Sequence, residues 1–449
     1  MTTSPAAPTA AAPASAPPAA PPAITIDAAI AAQPAAPPAF RNPGAGFLVG
    51  LGAANVAMMG ALLSVGILTL PLQAAAIDAG TATTIVSIAS GVAGVFALIG
   101  HPAFGRMSDR TTSRFGRRRP YLLLGALLLA VGALIVLAAA STLVLTVGWV
   151  VMTLGQTSAA AALGATIPDQ LAPERRGPAS ALFGVAGTVG AVVGLFLASL
   201  VSGSLAAMIL LPAGLAVLCL VVFAAVLDDD RLDRAHRPAL DLAEIRGTFW
   251  VSPRRYPSFA LAFGSRFFVF CSVAAVNAYQ AIYLIMALHV DPAEVAGKVF
   301  VSTLVLAAVS LVFATAMGRL SDKVGRRKPF VIVSALIFAG GLALVAVASD
   351  YTAFLVAMAV LGVGQGVYFA VDFALITQVL PDPNNPAKDL GIMNLGMSLP
   401  SILVPAVAPA LLAIGTTAAV PQNFGSLFFA GAVAGILGAI LIVPIRQVR

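Results

Sequence analysis

Twelve long apolar runs decide what this chain can fold into. A helix of about 20 apolar residues crosses the ~30 Å hydrocarbon core of a bilayer. Backbone groups in lipid must be satisfied within their own segment, so we expect each run to be a helix. The runs cover residues 46–72, 79–104, 120–140, 143–168, 177–201, 205–227, 256–288, 297–317, 329–348, 352–379, 389–415 and 423–444. The sequence therefore predicts an all-α membrane protein with twelve transmembrane helices.

The composition excludes an ordinary soluble protein. Of the 449 residues, 59% are hydrophobic and 10% are charged, whereas a typical soluble domain is roughly a quarter charged. A net charge of +7 also occurs in nucleic-acid-binding proteins, but here the basic residues concentrate in alternate loops. This bias follows the positive-inside rule and predicts that both termini are cytoplasmic. We expect a multi-pass protein of the cell inner (plasma) membrane, with the lipid bilayer and no nucleic acid as partner.

Two basic loops carry nearly the same motif. The first copy contains Gly105, Asp109, Arg110, Gly116, Arg117 and Arg118, and the second contains Gly318, Asp322, Gly325, Arg326 and Arg327. The pairs Gly116/Gly325, Pro120/Pro329 and Gln156/Gln365 each lie 209 residues apart, and the first loop is four residues longer. This register predicts a duplication of six helices.

The duplication divides the chain into four predicted parts. Residues 1–45 form an Ala/Pro-rich, disordered cytoplasmic tail, and residues 46–227 form the first six-helix bundle. Residues 228–255 form a polar cytoplasmic linker, and residues 256–449 form the second bundle.

The chemistry of the repeated loop suits a turn at a membrane surface. Its glycine ends a helix or lets helices approach closely. Its aspartate can accept hydrogen bonds from a helix N-terminus. Its arginines hold the turn at the anionic inner surface and pair with that aspartate. A basic loop that only obeys the positive-inside rule explains the arginines but not the repeated Gly and Asp.

The repeated loop resembles the signature loop of the major facilitator superfamily, found between helices two and three and again between helices eight and nine. The resemblance covers residues 46–444 and implies two pseudo-symmetric six-helix bundles that rock around a midplane site by alternating access. The longer first copy, residues 108–120, is similar to that of the glycoside–pentoside–hexuronide:cation symporters and the sucrose:proton symporters. Residues 167–170, 371–375 and 388–391 resemble the same families, which carry sugars with protons or sodium.

The sequence departs from these families in two runs. The second run has no acidic residue and the fourth has none before Asp169, which argues against a sodium site of the family's kind. The fifth run has Gly184, Gly187, Gly190 and Gly194 without the proline of drug:proton antiporters. That spacing favours close helix packing and argues mildly against drug export.

Two ionisable residues lie inside predicted helices. A charge within a span is costly, so Arg266 in helix seven and Asp372 in helix ten are functional candidates. Both lie roughly eight to eleven residues from the cytoplasmic end, at 1.5 Å per residue. We expect them to form a pair in which Asp372 carries the proton or is gated by substrate. A static ion pair is the open alternative.

Polar side chains within the spans are candidates for lining a substrate cavity. Amides and phenols hydrogen-bond hydroxyl groups, and rings stack on sugar faces, so the set suits a neutral polyol. The alternative is that such groups join helices to one another. The candidates are Asn55, Gln156, Asn277, Tyr279, Gln280, Tyr283, Gln365 and Tyr368, of which Tyr279 and Gln280 are favoured.

These observations predict a secondary transporter that moves a small neutral solute, such as a sugar or glycoside, together with protons. An exporter of drugs or metabolites is the alternative within the class, and a membrane-embedded enzyme or a non-transporting receptor is the alternative outside it. No nucleotide-binding Gly-x-x-x-x-Gly-Lys-Ser/Thr loop occurs and no catalytic or metal-ligand constellation is visible. We therefore expect no enzyme activity, no cofactor and no metal, and a protein that acts as a monomer.

Overall fold

The computed structural model describes residues 43–229, 231–232, 251–376, 378–381, 386–417 and 422–445. Within these ranges all regular elements are helices, and twelve spans are long and apolar enough to cross a membrane. The prediction of an all-α protein with twelve transmembrane helices is therefore confirmed. The predicted tail and most of the predicted linker lie outside the described residues, so the four domain boundaries stay a prediction.

We number the transmembrane helices α1 to α12 in chain order. Eleven are continuous, and α11 is divided at Leu399 into two segments. Their bounds are α1 Ala45–Ile77, α2 Ala82–Asp109, α3 Arg119–Leu137, α4 Thr142–Gln170, α5 Arg176–Leu200, α6 Leu205–Val226, α7 Pro257–Met286, α8 Pro292–Val324, α9 Lys328–Val347, α10 Tyr351–Ile376, α11 Pro386–Ser398 and Pro400–Leu412, and α12 Phe424–Ile442.

Helix α8 extends beyond the apolar run 297–317 at both ends. At its start the Asp291 carboxylate accepts a hydrogen bond from the backbone N–H of Ala293 at 2.9 Å, and Pro292 occupies the first turn. Both features favour a helix N-terminus. At its end Gly325 adopts a left-handed conformation with φ of 65°. Hydropathy misses these turns because capping does not depend on apolar side chains.

Equivalent helices of the two halves pack in the same pairs. In the first half α1 contacts α5 and α6, α4 contacts α2 and α3, and α3 contacts α6. In the second half α7 contacts α11 and α12, α10 contacts α8 and α9, and α9 contacts α12. Contacts of α2 with α11 and of α5 with α8 join the halves. This is the pairing that a duplicated six-helix unit requires.

Two glycines of α5 let it lie directly against α1. A Cβ atom added to Gly194 would be 2.1 Å from the carbonyl oxygen of Gly60, and one added to Gly190 would be 2.9 Å from the amide nitrogen of Gly60. By contrast, a Cβ at Gly184 or Gly187 would meet nothing within 4 Å. Close packing thus explains two of the four glycines in this helix.

Candidate functional site

A cavity of about 360 Å³ lies between the two halves of the chain. Helices α1, α2 and α4 form one wall, and α7 and α11 form the other. Its larger apolar lining residues are Leu62, Leu63, Ile67, Trp149, Phe270, Val273, Met397 and Pro405. Its polar lining residues are Ser90, Thr153, Gln156, Asn277 and Ser401. A space of this size and lining suits a small organic molecule that both halves contact.

The two ends of the molecule differ in how the halves meet. We call the end that carries the repeated arginine loops the basic end, and the other the opposite end. Toward the opposite end the hydroxyls of Ser87 and Tyr279 lie 2.7 Å apart, and the rings of Phe196 and Phe300 lie 5.4 Å apart. Near the basic end a Cβ added to Gly105 would meet nothing within 4 Å. The halves are thus joined toward the opposite end, while α2 has free space beside it near the basic end.

His101 lies on the cavity-facing side of α2. Ala93, Gly94 and Ala97 line the cavity, and His101 continues the same face one turn closer to the basic end. Its side chain is exposed. The sequence gives this histidine no metal-ligand spacing, but its position four residues after Ala97 places it on the cavity-facing side.

Arg266 and Asp372 meet as a buried ion pair. The Nη1 atom of Arg266 lies 2.9 Å from Oδ2 of Asp372, and the two side chains are 9% and 12% exposed. The phenol of Tyr368, one turn earlier on α10, lies beside the same carboxylate. The structure therefore brings together three candidate residues, Arg266 on α7 and Tyr368 and Asp372 on successive turns of α10. Their part in coupling stays a prediction.

The ion pair is connected to the cavity by two side chains. The Nη2 atom of Arg266 contacts the sulfur of Met397, and its guanidinium carbon lies 5.7 Å from the centroid of the Phe270 ring. Both Met397 and Phe270 line the cavity. A molecule in the cavity therefore contacts the groups that surround the guanidinium. In this water-poor setting, an unpaired charge is far more costly than at a surface.

The other expected lining residues divide into two groups. Gln156 and Asn277 lie in the cavity wall, on α4 and α7 respectively. Tyr279 is fully buried and bonds to Ser87. Gln280 is also buried, and its Oε1 atom has no hydrogen-bond partner within the described part of the chain. Gln365 is half-buried and is not part of this lining.

Two further candidates hold neighbouring helices together. The amide of Asn55 donates to the carbonyl of Phe183 at 3.3 Å, which joins α1 to α5. The phenol of Tyr283 donates to the carbonyls of Val345 and Ala348 at 2.9 and 3.1 Å. Both side chains therefore join neighbouring segments of the bundle, which is the alternative to lining a substrate cavity.

Trp149 is a lining residue that the sequence analysis does not single out. It precedes Thr153 and Gln156 by four and seven residues on α4, so the three share one helix face. Its ring packs against Gly66 of α1, where an added Cβ would lie 3.1 Å from the indole. The spacing from Gln156 is a signal that would have identified it.

The first repeated loop is fixed by a cluster of charges. Arg118 pairs with Asp109 at 2.7 Å and with Asp169 at 2.8 Å, and Arg117 pairs with Asp169 at 2.7 Å. Burial alone would lower the pKa of Arg118, but the hydrogen bonds and charges of Asp169 and Asp109 hold that pKa above its usual value. The loop is therefore locked to the end of α4.

A different aspartate from the one expected caps α3. The Asp229 carboxylate accepts hydrogen bonds from the backbone N–H groups of Arg118 and Arg119 at 2.5 and 2.8 Å. Gly116 has a φ of 100°, and an added Cβ would lie 2.3 Å from that carboxylate. Asp109, which we expect at this helix N-terminus, pairs with a guanidinium instead. Asp229 follows α6, so the cap is tertiary and has no signal in the loop itself.

The second repeated loop is only partly described. Gly318 lies in α8 near the side chain of Ala370, and Gly325 ends that helix. Arg326 is exposed and Arg327 is half-buried at the start of α9. The side chain of Asp322 lies outside the described residues.

One contact is repeated in both halves. Arg119 donates from Nε to the carbonyl of Leu227 at 2.9 Å, just beyond the end of α6. Lys328, which lies 209 residues later, donates to the carbonyl of Ile445 at 3.1 Å, just beyond the end of α12. A cation at a helix C-terminus satisfies free carbonyls and opposes the helix dipole.

Similar proteins include several with curated names. A 130-residue segment is 36% identical to the multidrug resistance protein MdtL of Shewanella sp. (strain ANA-3), covering 29% of this chain and 30% of that protein. A 197-residue segment is 30% identical to the MdtL of Salmonella typhimurium, covering 40% and 46%. The chain thus matches less than half the length of these relatives.

Among solved structures, a nucleoside transporter, NupG, superposes with a TM-score of 0.71 at 14% identity, over 89% of this chain and all of that one. A bacterial homologue of the lysosomal transporter Spinster, in an inward-facing conformation, superposes with a TM-score of 0.62 at 16% identity, covering 89% and 94%. These likenesses concern the fold. The family model described as Major Facilitator Superfamily matches residues 45–310 and 262–449. The chain belongs to the major facilitator superfamily of transporters.

Proposed function

We propose that this transporter exports small, mainly apolar organic solutes and is driven by protons. The observation that carries the proposal is the central cavity: its walls are mostly apolar, and an ion pair lies beside it on the basic side. Trp149 and Phe270 offer ring surfaces, while Gln156 and Asn277 offer neutral amides. Such a lining suits an amphipathic molecule with one or two polar groups.

Export of drugs or metabolites also agrees with the names of the matched relatives, which are multidrug resistance proteins. A sugar presents many hydroxyl groups, each of which needs a hydrogen-bond partner once it leaves water. Of the eight polar candidates, Gln156 and Asn277 lie in the cavity wall. Sugar or glycoside symport with protons is therefore the second candidate, favoured by the long first loop.

We infer that the basic end faces the cytoplasm, because the arginine-rich loops lie there. We infer that the cavity then opens toward the cytoplasm, with the Ser87–Tyr279 contact on its outer side. Both termini are cytoplasmic in this orientation, in the cell inner membrane. All cavity walls come from one chain, so a monomer suffices for transport.

Coupling would depend on the carboxylate of Asp372. A proton on its Oδ2 atom removes the charge that balances Arg266. The guanidinium is then free to shift against Phe270 and Met397, and its unbalanced charge lies beside the cavity. Protonation would thereby disfavour a solute in the cavity, so that proton and solute exclude each other, which is the requirement for exchange of one for the other.

Flux measurements in proteoliposomes test the proposal. With an imposed pH gradient, we expect transport of lipophilic cationic dyes and no transport of radiolabelled mono- and disaccharides. Gradient-driven sugar uptake without dye transport would establish the second candidate instead. If the protein transported neither dyes nor sugars and moved no protons with them, a receptor or an enzyme would be the better interpretation.

Two neighbouring phenylalanines give a matched test of the cavity. Phe270 lines it, whereas the half-buried Phe268 does not. Burying an aromatic side chain contributes ~1.5–3 kcal/mol, so Phe270→Ala is expected to raise the KM for dyes about ten-fold or more. Phe268→Ala should leave the KM near the wild-type value. Equal effects of the two substitutions would contradict this location of the site.

A further inference from the structure

Two arginines at the basic end of α2 take no part in the charge cluster of the first loop. Arg117, Arg118 and Arg119 bind carboxylates or helix-end carbonyls. The side chains of Arg106 and Arg110 have no hydrogen-bond or ion-pair partner within the described residues, and the Nε and Nη1 atoms of Arg110 are buried. Buried charged donors are nearly always paired, since an unmet one is costly. An anionic acceptor would satisfy them.

The two arginines share a pocket of about 500 Å³ with several hydroxyl groups. The remaining lining residues are Met107, Thr111, Thr112, Ser113 and Tyr121. The hydroxyls of Thr111 and Tyr121 lie 2.9 Å apart. Three of these residues belong to the stretch that is longer in the first loop than in the second. The extra residues of the first loop thus supply one hydroxyl-bearing wall of the pocket. The second loop lacks these residues.

The pocket lies where the lipid-facing side of α2 ends. Val92, Val95 and Ile99 are exposed and lie on the side of the helix away from the cavity. Arg106 follows Ile99 by seven residues, as Ile99 follows Val92, and Arg110 lies one turn further. The stripe that meets acyl chains therefore leads to two guanidinium groups at the membrane boundary. That is the order of groups in a phospholipid, with apolar chains followed by a phosphate.

We propose that this pocket binds the phosphate of an anionic phospholipid from the cytoplasmic leaflet. The planar guanidinium of Arg110 can hold two phosphate oxygens, Arg106 adds a second charge, and the hydroxyls of Thr112 and Ser113 can donate to the remaining oxygens. Free phosphate offers the same chemistry, but it has no group for the apolar stripe. The site is separate from the transport cavity, which lies on the other side of α2.

Lipid titration of the full-length, delipidated protein in detergent tests this assignment. Native mass spectrometry would count bound dioleoylphosphatidylglycerol, with dioleoylglycerol and inorganic phosphate as separate arms. Arg110→Gln is expected to weaken phosphatidylglycerol binding about ten-fold, which corresponds to 1.4 kcal/mol. Arg110→Lys keeps the charge without the planar fork and should weaken binding less than Arg110→Gln does.

Arg114→Gln is the matched control. It removes one charge from the same loop, but Arg114 is exposed, stacks over Phe115 at 4.8 Å and does not line the pocket. Binding by this variant should stay close to that of the wild type. Equal losses for Arg110→Gln and Arg114→Gln, or equal binding of dioleoylglycerol, would overturn the proposal. Displacement of the lipid by an equal concentration of inorganic phosphate would identify a free anion as the ligand instead.

Discussion

Replacing Asp372 by Asn tests whether the buried ion pair couples solute movement to protons. At 2.9 Å and an effective dielectric constant near 20, the two charges attract each other by roughly 6 kcal/mol. Nε of Arg266 has no hydrogen-bond acceptor among the described residues. The substitution therefore leaves a buried guanidinium with no carboxylate of its own, at a cost of about 3–5 kcal/mol.

The expected result is a loss of coupling with retention of solute binding. In proteoliposomes, Asp372→Asn should abolish accumulation driven by a pH gradient, because an amide cannot take up and release the proton that the carboxylate would carry. Solute exchange at equal pH on both sides should persist, since Asp372 does not line the cavity. Asp169→Asn is a control that breaks a carboxylate–arginine pair at the basic end without touching the cavity.

Two outcomes would refute this reasoning. Wild-type accumulation by Asp372→Asn under the same gradient would exclude the carboxylate as the proton carrier. Recovery of accumulation in the double variant Arg266→Gln/Asp372→Asn would show that the charges only neutralise each other. A double-mutant cycle separates the pairwise energy from the cost of leaving one charge alone.

Two other predictions concern the packing of the helices. Gly194→Ala should destabilise the protein by ~1–3 kcal/mol, seen as a lower Tm in detergent, because its Cβ would meet the backbone of Gly60. Gly187→Ala is the control and should leave the Tm unchanged. Similar Tm values for the two variants would contradict the close packing of α5 against α1. Tyr279→Phe removes a hydrogen bond to Ser87 worth ~0.5–1.5 kcal/mol and should speed the labelling of cysteines introduced in α7 near the opposite end. Unchanged labelling rates would show that this contact does not hold the halves together at the opposite end.

Hydropathy is enough to predict the helices because membrane insertion depends on segment length and apolar content alone. It is weaker at helix ends, where capping groups decide. The extra turns of α8 depend on Asp291, Pro292 and Gly325, which an apolar average does not register. The capping of α3 by Asp229 is not predictable from the loop, because the carboxylate comes from another part of the chain.

The ion pair is predictable because charges within spans are rare and have few partners to choose from. The cavity lining is not predictable in the same way. Asn55 and Gln156 look alike on the sequence, yet one joins α1 to α5 and the other lies in the cavity wall. The role of an amide depends on what faces it in three dimensions. Apolar lining residues such as Met397 carry even less signal, since most residues of a span are apolar.

The duplication also limits how coupling can work. The residue that corresponds to Asp372 in the first half, 209 positions earlier, is the fully buried Leu163, so the charge occurs in one half only. Arg266 on α7 and Asp372 on α10 both belong to the second half. A rigid rocking of the halves therefore leaves their separation unchanged. Only a proton on Asp372, or a solute acting through Phe270 and Met397, can alter the pair. A coupling role thus requires the cavity occupant to reach the guanidinium, and the Phe270 and Asp372 variants should consequently show non-additive effects on transport.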